Sequence, residues 1–365
     1  MIFLLDLPEP IHGMSNVNQK ILKEYLGQTR KKPYVLNTSP SYASSHFGGK
    51  LWGGIKLAHS LYAAMMLFFF FTKKDAGRFV YRPINGGAGQ VYDIVFLLIC
   101  RVFKKRVFIH HHSFKYLNNY SALFRLLLIA AGSRVEHVVL GEEMKKVMVG
   151  RYHIQNDKVR VLSNIAFFDD SSVCSSKRDV FTLGYLSNIC FEKGIGEFLD
   201  LCDRLKIEKL NFNAIIAGPF IDSETQDLVL ERVSQNENVS YIGPQYGESK
   251  ELFFRGLDCF FFPSKYKNEA EPMVLYEAAQ YGCYLMGARR GCMEHVISSL
   301  GGATFADENI VDEAFERIVF LLKNKGHESL ERDERKQEFF KLREKERNSL
   351  NRLIIELKRS YAAVE

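Results

Sequence analysis

The chain has 365 residues, 47% hydrophobic and 25% charged, an ordinary soluble composition that excludes a disordered or fibrous protein and fits two domains. The formal net charge of +6 hides a division by position. Residues 1–165 carry 23 Lys and Arg against 9 Asp and Glu, a balance of +14, and the remainder carry 26 against 34, a balance of −8, so the first half is expected to face something anionic: nucleic acid, a membrane surface or a phosphorylated substrate.

In chain order, Ile2–Leu7 reads as a first strand. It has no basic start, and Asp6 and Pro8 follow at once, so it is not expected to be a signal peptide. The turn Pro8–Gly13 leads to a helix over Asn16–Leu26, with Ser15 or Asn16 as its cap. A strand over Tyr34–Asn37 and a helix over Lys56–Phe71 follow. The next strands are Phe79–Ile84, Arg106–His110, Val135–Leu140 and Val159–Leu162, separated by helices over Gln90–Phe103, Ser121–Ala131 and Glu142–Tyr152. This alternation predicts a doubly wound parallel sheet. Phe167–Asp179 is polar and serine-rich, the best linker.

The rhythm then restarts with strands over Phe181–Leu186, Phe212–Ala217, Val239–Ile242, Cys259–Phe262 and Cys283–Gly287 and helices over Gly194–Leu205, Val274–Tyr281 and Met293–Ser299. From Asn309 onward the chain is helical in composition and heavily charged. Two Rossmann-like units in series are therefore expected, with ligands bound at the strand ends. The apolar stretch Leu61–Phe71 is about half of the roughly 20 residues that a spanning helix needs, so no membrane crossing is expected. Seven cysteines without a C-x-x-C pair indicate neither a disulfide scaffold nor a zinc site and suit a reducing cytosol.

The segment Glu269-Ala270-Glu271-Pro272-Met273-Val274-Leu275-Tyr276-Glu277 carries the most chemistry. Its outer glutamates lie eight positions apart around a proline that suits a helix start. The free amides and positive pole of that helix end make a ready phosphate site, and Glu269 and Glu277 could hydrogen-bond sugar hydroxyls on either side of a diphosphate. Taken as an isolated pair, they would more often be surface acids.

The segment resembles the Glu-x7-Glu motif of retaining, GT-B-fold glycosyltransferases, family 4 (group 1) in particular. Other stretches resemble the family in order: Pro8…Gly13-Met14-Ser15-Asn16, Leu162-Ser163-Asn164, Gly184-Tyr185-Leu186-Ser187…Glu192-Lys193-Gly194, Ala217-Gly218-Pro219 and Tyr241-Ile242-Gly243-Pro244. The resemblance implies two Rossmann-like domains facing across a cleft: residues 1–168, joined by a C-terminal helix 345–365, on the acceptor side, and residues 178–344 on the donor side. It implies that Glu269 holds hydroxyls of the transferred sugar, that Glu277 binds the ribose, and that Met273 and Val274 offer amides to the diphosphate. Lys193 would neutralise the leaving group, whose charge grows in the transition state. Tyr185, Ser187, Gly218, Gly243, Pro244, Glu271 and Pro272 complete the expected donor side. The chain departs from the family twice. Tyr185 stands where an Arg is frequent, leaving a cation that Arg289 or Arg290 could supply. Glu271 stands where a Phe is common, and would read a sugar substituent or face solvent.

His110-His111-His112 ends a strand, and alternation puts His110 and His112 on one side and His111 on the other. Three adjacent strand residues cannot turn to one ion, so no metal is expected. The resemblance places a sugar-contacting histidine at this strand end, and His112 is the better match, with His110 second. Gly13, Met14, Ser15 and Asn16 are expected to line the acceptor side, and the turn Asn85-Gly86-Gly87-Ala88-Gly89 is a weaker candidate. Lys73-Lys74 after the run Met65–Phe71, and Lys104-Lys105-Arg106 after Leu97-Leu98-Ile99, suit an anionic leaflet, although the phenylalanine run would also suit a buried helix. No nucleic-acid-binding pattern occurs.

The sequence is thus read as a metal- and cofactor-independent glycosyltransferase. It would use a nucleotide-sugar donor and a lipid-linked or saccharide acceptor, and be peripheral on the cytoplasmic membrane in cell-surface polysaccharide synthesis. The alternatives are another enzyme of the same fold, such as an epimerase, or a non-catalytic or nucleic-acid-binding protein.

Overall fold

A computed structural model describes residues 1–9, 13–46, 49–73, 76–169, 180–323 and 328–359. The chain divides into two compact units, one of Met1–Phe168 with the chain from Glu344 onward, the other of Asp169–Arg343. Most of the expected linker, residues 170–179, lies outside the described residues, as do residues 10–12 of the first turn and Lys74.

The first unit contains β1 (Ile2–Leu5), α1 (Gly13–Gly27), β2 (Tyr34–Asn37), α2 (Trp52–Phe71), β3 (Phe79–Ile84), α3 (Gln90–Val102), β4 (Arg106–His111), α4 (Lys115–Asn118), α5 (Ala122–Ala131), β5 (Val135–Val139), α6 (Glu142–Tyr152) and β6 (Val159–Val161). All pairings are parallel, in the order β2-β1-β3-β4-β5-β6. Strands made of buried runs such as Ile2–Leu5 need both faces covered. The helices α2, α3 and α5 pack side by side.

The second unit contains β7 (Phe181–Leu186), α7 (Ile195–Ile207), β8 (Phe212–Ala217), α8 (Ser223–Gln235), β9 (Val239–Tyr241), α9 (Gly247–Arg255), β10 (Cys259–Phe262), α10 (Met273–Gln280), β11 (Tyr284–Ala288), α11 (Met293–Ser299), β12 (Ala303–Phe305) and α12 (Ile310–Lys323). Its six parallel strands run β12-β11-β10-β7-β8-β9, the dinucleotide-fold order in which the first strand lies centrally. Phe181, Leu183, Phe198, Phe261 and Met286 belong to one buried core. The last helix, α13 (Glu328–Lys358), starts in this unit, where Arg332 donates to the Tyr281 carbonyl, and ends in the first, where Arg347 pairs with Glu24 at 2.8 Å.

Three expectations change. Helix α1 begins at Gly13, so Gly13–Asn16 form its first turn; neither Ser15 nor Asn16 is a cap preceding it. Space around Gly13 is open, so no close approach within the protein requires glycine there. Helix α2 starts four residues earlier than read and, at 20 residues, is long and apolar enough to span a membrane by length and composition. It is nevertheless bound to the sheet: Lys56 lies 3.4 Å from Asp6 and His59 lies 3.1 Å from the Asn37 carbonyl. Nor is it a buried helix, because Leu57, Leu61, Met65, Phe68 and Phe69 are exposed.

Candidate functional site

In the second sheet β7 lies between β10 and β8, so the connections leaving β7 and β10 diverge and open a crevice at the carboxyl edge. From β7 the chain passes Ser187 and a 3-10 turn, Phe191–Lys193, to Gly194 at φ +82°. A Cβ on Gly194 would sit 2.1 Å from the Pro263 carbonyl oxygen, so only glycine lets this loop rest on the loop after β10. The contact is fixed by the Lys265 amide donating to the Glu192 carbonyl at 2.9 Å.

Across it, Lys193 Nζ lies 2.5 Å from Glu269 Oε2, which also accepts from Ser264 Oγ at 3.2 Å. The ammonium stands 4.9 Å from the centroid of the Tyr266 ring. With the two side chains 25% and 13% exposed, the pair is sheltered from bulk water yet reachable. The far end of the loop is tied down as well. The Cys292 amide donates to the Ala270 carbonyl at 2.9 Å, and a Cβ on Gly291 would lie 2.2 Å from the Glu269 carbonyl oxygen. Arg290 donates to the Ser264 carbonyl at 2.9 Å and pairs with Asp307. It therefore anchors the loop instead of standing free as a second cation. Arg289 lies 3.5 Å from Glu294.

Helix α10 starts at Met273, with Pro272 as its N-cap in an extended conformation, one position outside the first helical residue. The Leu275 amide turns back to the Pro272 carbonyl at 3.2 Å. The amides of Met273 and Val274 precede any intrahelical acceptor and point out of the helix end. Glu277 is held by Lys250 of α9 at 2.6 Å. Glu271 does not face solvent: it is 6% exposed and accepts from Tyr276 Oη at 2.7 Å.

Tyr185 is the clearest correction. Its side chain is fully buried in the core, burial pushes its phenol pKa up, and it stays neutral. It donates to the Lys193 carbonyl at 3.1 Å and accepts from Ser187 Oγ at 2.7 Å. It supports the Lys193 loop from beneath and is not presented to a phosphate. Beside it, Gly218 (φ +126°) donates its amide to the Gly243 carbonyl at 3.0 Å, and a Cβ there would lie 1.8 Å from the Ser187 carbonyl oxygen. The ends of β7, β8 and β9 are thereby joined into one shelf, with Pro244 exposed beyond it. Sequence reasoning passed over Lys250, Ser264, Tyr266 and Tyr276. Ser264 was signalled by the strand end Phe262-Pro263-Ser264, but Lys250 lies on a helix that the sequence reading did not place.

In the first sheet the corresponding divergence lies between β1 and β3. It is occupied by a buried network that the sequence reading missed entirely. Arg82 lies 2.6 Å from Asp93 and 3.6 Å from Asp6, and it donates to Thr38 Oγ1 at 2.5 Å and to the Leu4 carbonyl at 3.2 Å. Burial raises the Asp6 pKa, but Arg82, Lys56 and Thr38 outweigh it and hold the carboxyl below its ordinary range. Asp93 fixes the glycine turn by accepting from the Asn85 amide at 2.8 Å. Gly86 packs against Ser113 so closely that a Cβ would lie 2.6 Å from its hydroxyl.

At the end of β4 the rings of His110 and His112 are 4.0 Å apart on one side of the strand. On the other side His111 bonds Tyr116 Oη at 2.7 Å and His137 Nδ1 at 3.0 Å. His110 is fully buried with Nδ1 2.5 Å from Tyr81 Oη, whereas His112 is half-buried and the more accessible. Burial holds His110, His111 and His137 in the neutral form, with His137 lowered to about 4. Among the described residues no three or more His, Cys, Asp or Glu converge as a metal site.

Residues 169–338 match the family model of the glycosyl transferases group 1. No curated protein matches the chain in sequence. Sucrose-phosphate synthase from Thermosynechococcus elongatus is similar with a TM-score of 0.72 at 13% identity, covering 98% of each chain. A glycosyltransferase from Rickettsia africae gives 0.71 at 13% identity, covering 100% of this chain and 99% of the other. HepE of Anabaena in complex with UDP gives 0.67 at 13% identity, covering 99% and 100%. At these identities the likeness is one of fold. The two six-stranded parallel sheets are accordingly those of a GT-B fold, and the second unit is the part of the chain that resembles the glycosyl transferases group 1.

Proposed function

We propose that the protein is a retaining, metal-independent glycosyltransferase that moves a sugar from a nucleoside-diphosphate sugar to a hydroxyl of a glycolipid or polyprenyl-linked saccharide. The observation that carries this reading is the sheltered Lys193–Glu269 pair at the crevice of the second unit, beside the free amides of α10. Each partner can exchange the other for a donor group: Lys193 for the diphosphate, Glu269 for hydroxyls of the sugar. Met273 and Val274 add amides to the phosphates at the positive end of the helix. Glu277 leaves Lys250 to accept from the ribose. Tyr185 and Ser187 hold the Lys193 loop, and Gly218, Gly243 and Pro244 form the floor on the nucleobase side. Glu271 stays bonded to Tyr276 and shapes the sugar pocket from behind.

In the reaction the bond from the anomeric carbon to the diphosphate breaks, and the acceptor oxygen bonds to that carbon on the same face. The acceptor proton passes to the leaving phosphate oxygen, so no protein base is required. Lys193 stabilises the charge that this departure concentrates. The first unit supplies the acceptor side through Gly13, Met14, Asn16 and His112, with His112 the catalytic candidate, while Ser15 and His110, both fully buried, back that surface from within.

The protein works, on this reading, at the cytoplasmic face of the membrane. Leu57, Leu61, Met65, Phe68 and Phe69 of α2 and Val91, Val95, Leu98 and Val102 of α3 form two exposed stripes at helical spacing on adjacent helices. With the basic residues around them they suit an anionic leaflet.

A thermal-shift panel of nucleotide-sugars tests the donor, since a bound ligand raises Tm. If Lys193→Ala and Glu277→Ala leave UDP and GDP binding unchanged in calorimetry, the site assignment is wrong. An inverted anomeric product by NMR would sink retention. Failure to pellet with anionic vesicles, or pelleting indifferent to salt, counts against the membrane assignment.

A further inference from the structure

At the end of the first sheet opposite the loops described above there is a second concavity, of about 570 Å³. The parallel register sets three arginines side by side along it. Arg106 donates its amide to the Arg78 carbonyl at 3.0 Å, and Val107 donates to the Arg134 carbonyl at 2.9 Å, so neighbouring strands, about 4.8 Å apart, each bring a guanidinium to the same edge. Lys104 and Lys105 join from the turn after α3, and Lys158 from the turn before β6. Glu136 is the carboxylate of the lining, and it is already engaged by Arg106 and Arg160. Among the described residues, Arg78, Lys104, Lys105, Arg134 and Lys158 have no carboxylate at ion-pair distance.

Cations do gather where helices end, because carbonyls are exposed there; Arg134 donates to the Lys104 carbonyl at 2.9 Å and Lys105 to the Ala76 carbonyl at 3.1 Å. That role does not account for five uncompensated charges around one hollow. Their crowding is already felt: burial and the Arg78 guanidinium hold Lys105 below its ordinary pKa, and burial together with Lys105 lowers the Met1 amine to about 5. One wall is apolar. Phe103 packs on Phe68 and Phe71 of α2 at 5.3 Å each, and beside it Phe69 and Val102 are 59% and 70% exposed.

We infer that this hollow binds the phosphorylated headgroup of a membrane lipid, a phosphomonoester or diphosphate carrying about two negative charges, with the lipid chain against Phe68, Phe69 and Val102. The inference rests on the membrane-docking reading above and adds that docking selects the headgroup. The hollow lies at the sheet end opposite the candidate acceptor loops, so this lipid anchors the protein and is not the acceptor.

The test compares phosphatidylcholine vesicles containing phosphatidic acid with vesicles matched in surface charge by phosphatidylglycerol, using the full chain. The wild type should bind the phosphatidic acid vesicles about tenfold more tightly. The double variant Arg78→Ala/Lys158→Ala should lose that preference and bind them roughly 25-fold less well, about fivefold per cation, with an unchanged Tm. The double variant Leu61→Ser/Phe69→Ser should bind neither vesicle. Equal binding of the two vesicles by the wild type, or a preference that survives Arg78→Ala/Lys158→Ala, overturns the headgroup site and leaves membrane docking standing. Absence of binding to either vesicle overturns both. Inorganic pyrophosphate binding in solution that is lost in Arg78→Ala/Lys158→Ala, without vesicle preference, assigns the hollow to a free phosphate ligand and overturns the lipid.

Discussion

The two units use one plan, a six-stranded parallel sheet with charged side chains where the connections diverge, and they treat those charges in opposite ways. In the second unit Lys193 and Glu269 remain 25% and 13% exposed; in the first, Arg82 and Asp93 are 2% and 0% exposed. An accessible pair can trade its partner for a ligand, because water and ligand compensate whichever charge is released. A sealed pair cannot, since each of its members would be left unpaired in a poorly solvated interior. The comparison teaches that a charge cluster at a strand end is read by its exposure: one is open to exchange with a ligand, and the other holds β1, β2, β3 and α3 in place.

The largest effect expected from this contrast is on stability. Arg82→Leu leaves Asp93 buried without its cation, and Asp6 with Lys56 alone, and should cost about 3–5 kcal/mol, read by urea unfolding. A loss no greater than that of a surface substitution would remove the distinction. Next, Lys193→Ala should lower kcat by about 10²–10³, or about 2.7–4 kcal/mol, with little change in Tm. Unaltered turnover in a sugar-transfer assay would place the chemistry elsewhere.

The third prediction separates the units by pH. His110, His111 and His137 are buried neutral, with pKa values below the unfolded value of about 6.5. The unfolded chain therefore binds more protons as the pH falls from about 6.5 towards about 4. The first unit should lose about 1.4 kcal/mol per pH unit for each such histidine over that range. Above that window the stability is fully present. In the second unit His295 is exposed, so hydrogen exchange should show its peptides holding protection where those of the first unit fail. Parallel loss in both units, or no flattening in His137→Gln, would contradict this. Asp6 works lower: because its pKa is depressed in the folded chain, its contribution is fully present above the unfolded carboxyl value of about 3.9 and is lost as the pH falls from there through the lower folded value. The smallest effect is that of Tyr185→Phe. Loss of its two hydrogen bonds should cost about 0.5–1.5 kcal/mol each and slow turnover only by loosening the Lys193 loop; a loss as large as that of Lys193→Ala would show that the hydroxyl itself takes part.

Much of the architecture was legible because buried strands such as Cys259–Phe262 and Phe212–Ala217 are short, largely apolar runs ended by Pro-Ser or Gly-Pro. Helices α8 and α9 escaped because each buries only two side chains, Thr225 and Val229 in one and Phe253 and Phe254 in the other, too few to mark a periodic face. Strand β12 is a three-residue edge. In the candidate site, Lys193 and Glu269 were found because they lie in local motifs. The Arg82 network was invisible because Asp6, Thr38, Arg82 and Asp93 are far apart in sequence, and only folding brings them together. At Gly13 the glycine itself misled, suggesting a loop where the helix had already begun.

The return of α13 to the first unit sets the timing of synthesis. Leu350, Leu353, Ile354 and Leu357 are fully buried and belong to a unit whose other residues end at Phe168, with 175 residues between Phe168 and Glu344. At a ribosomal pace of about 5–20 residues per second, the surface they cover waits roughly 9–35 seconds after its own strands have emerged. The unit that begins first is therefore the last to be completed, and during that interval its apolar flank is open to chaperones.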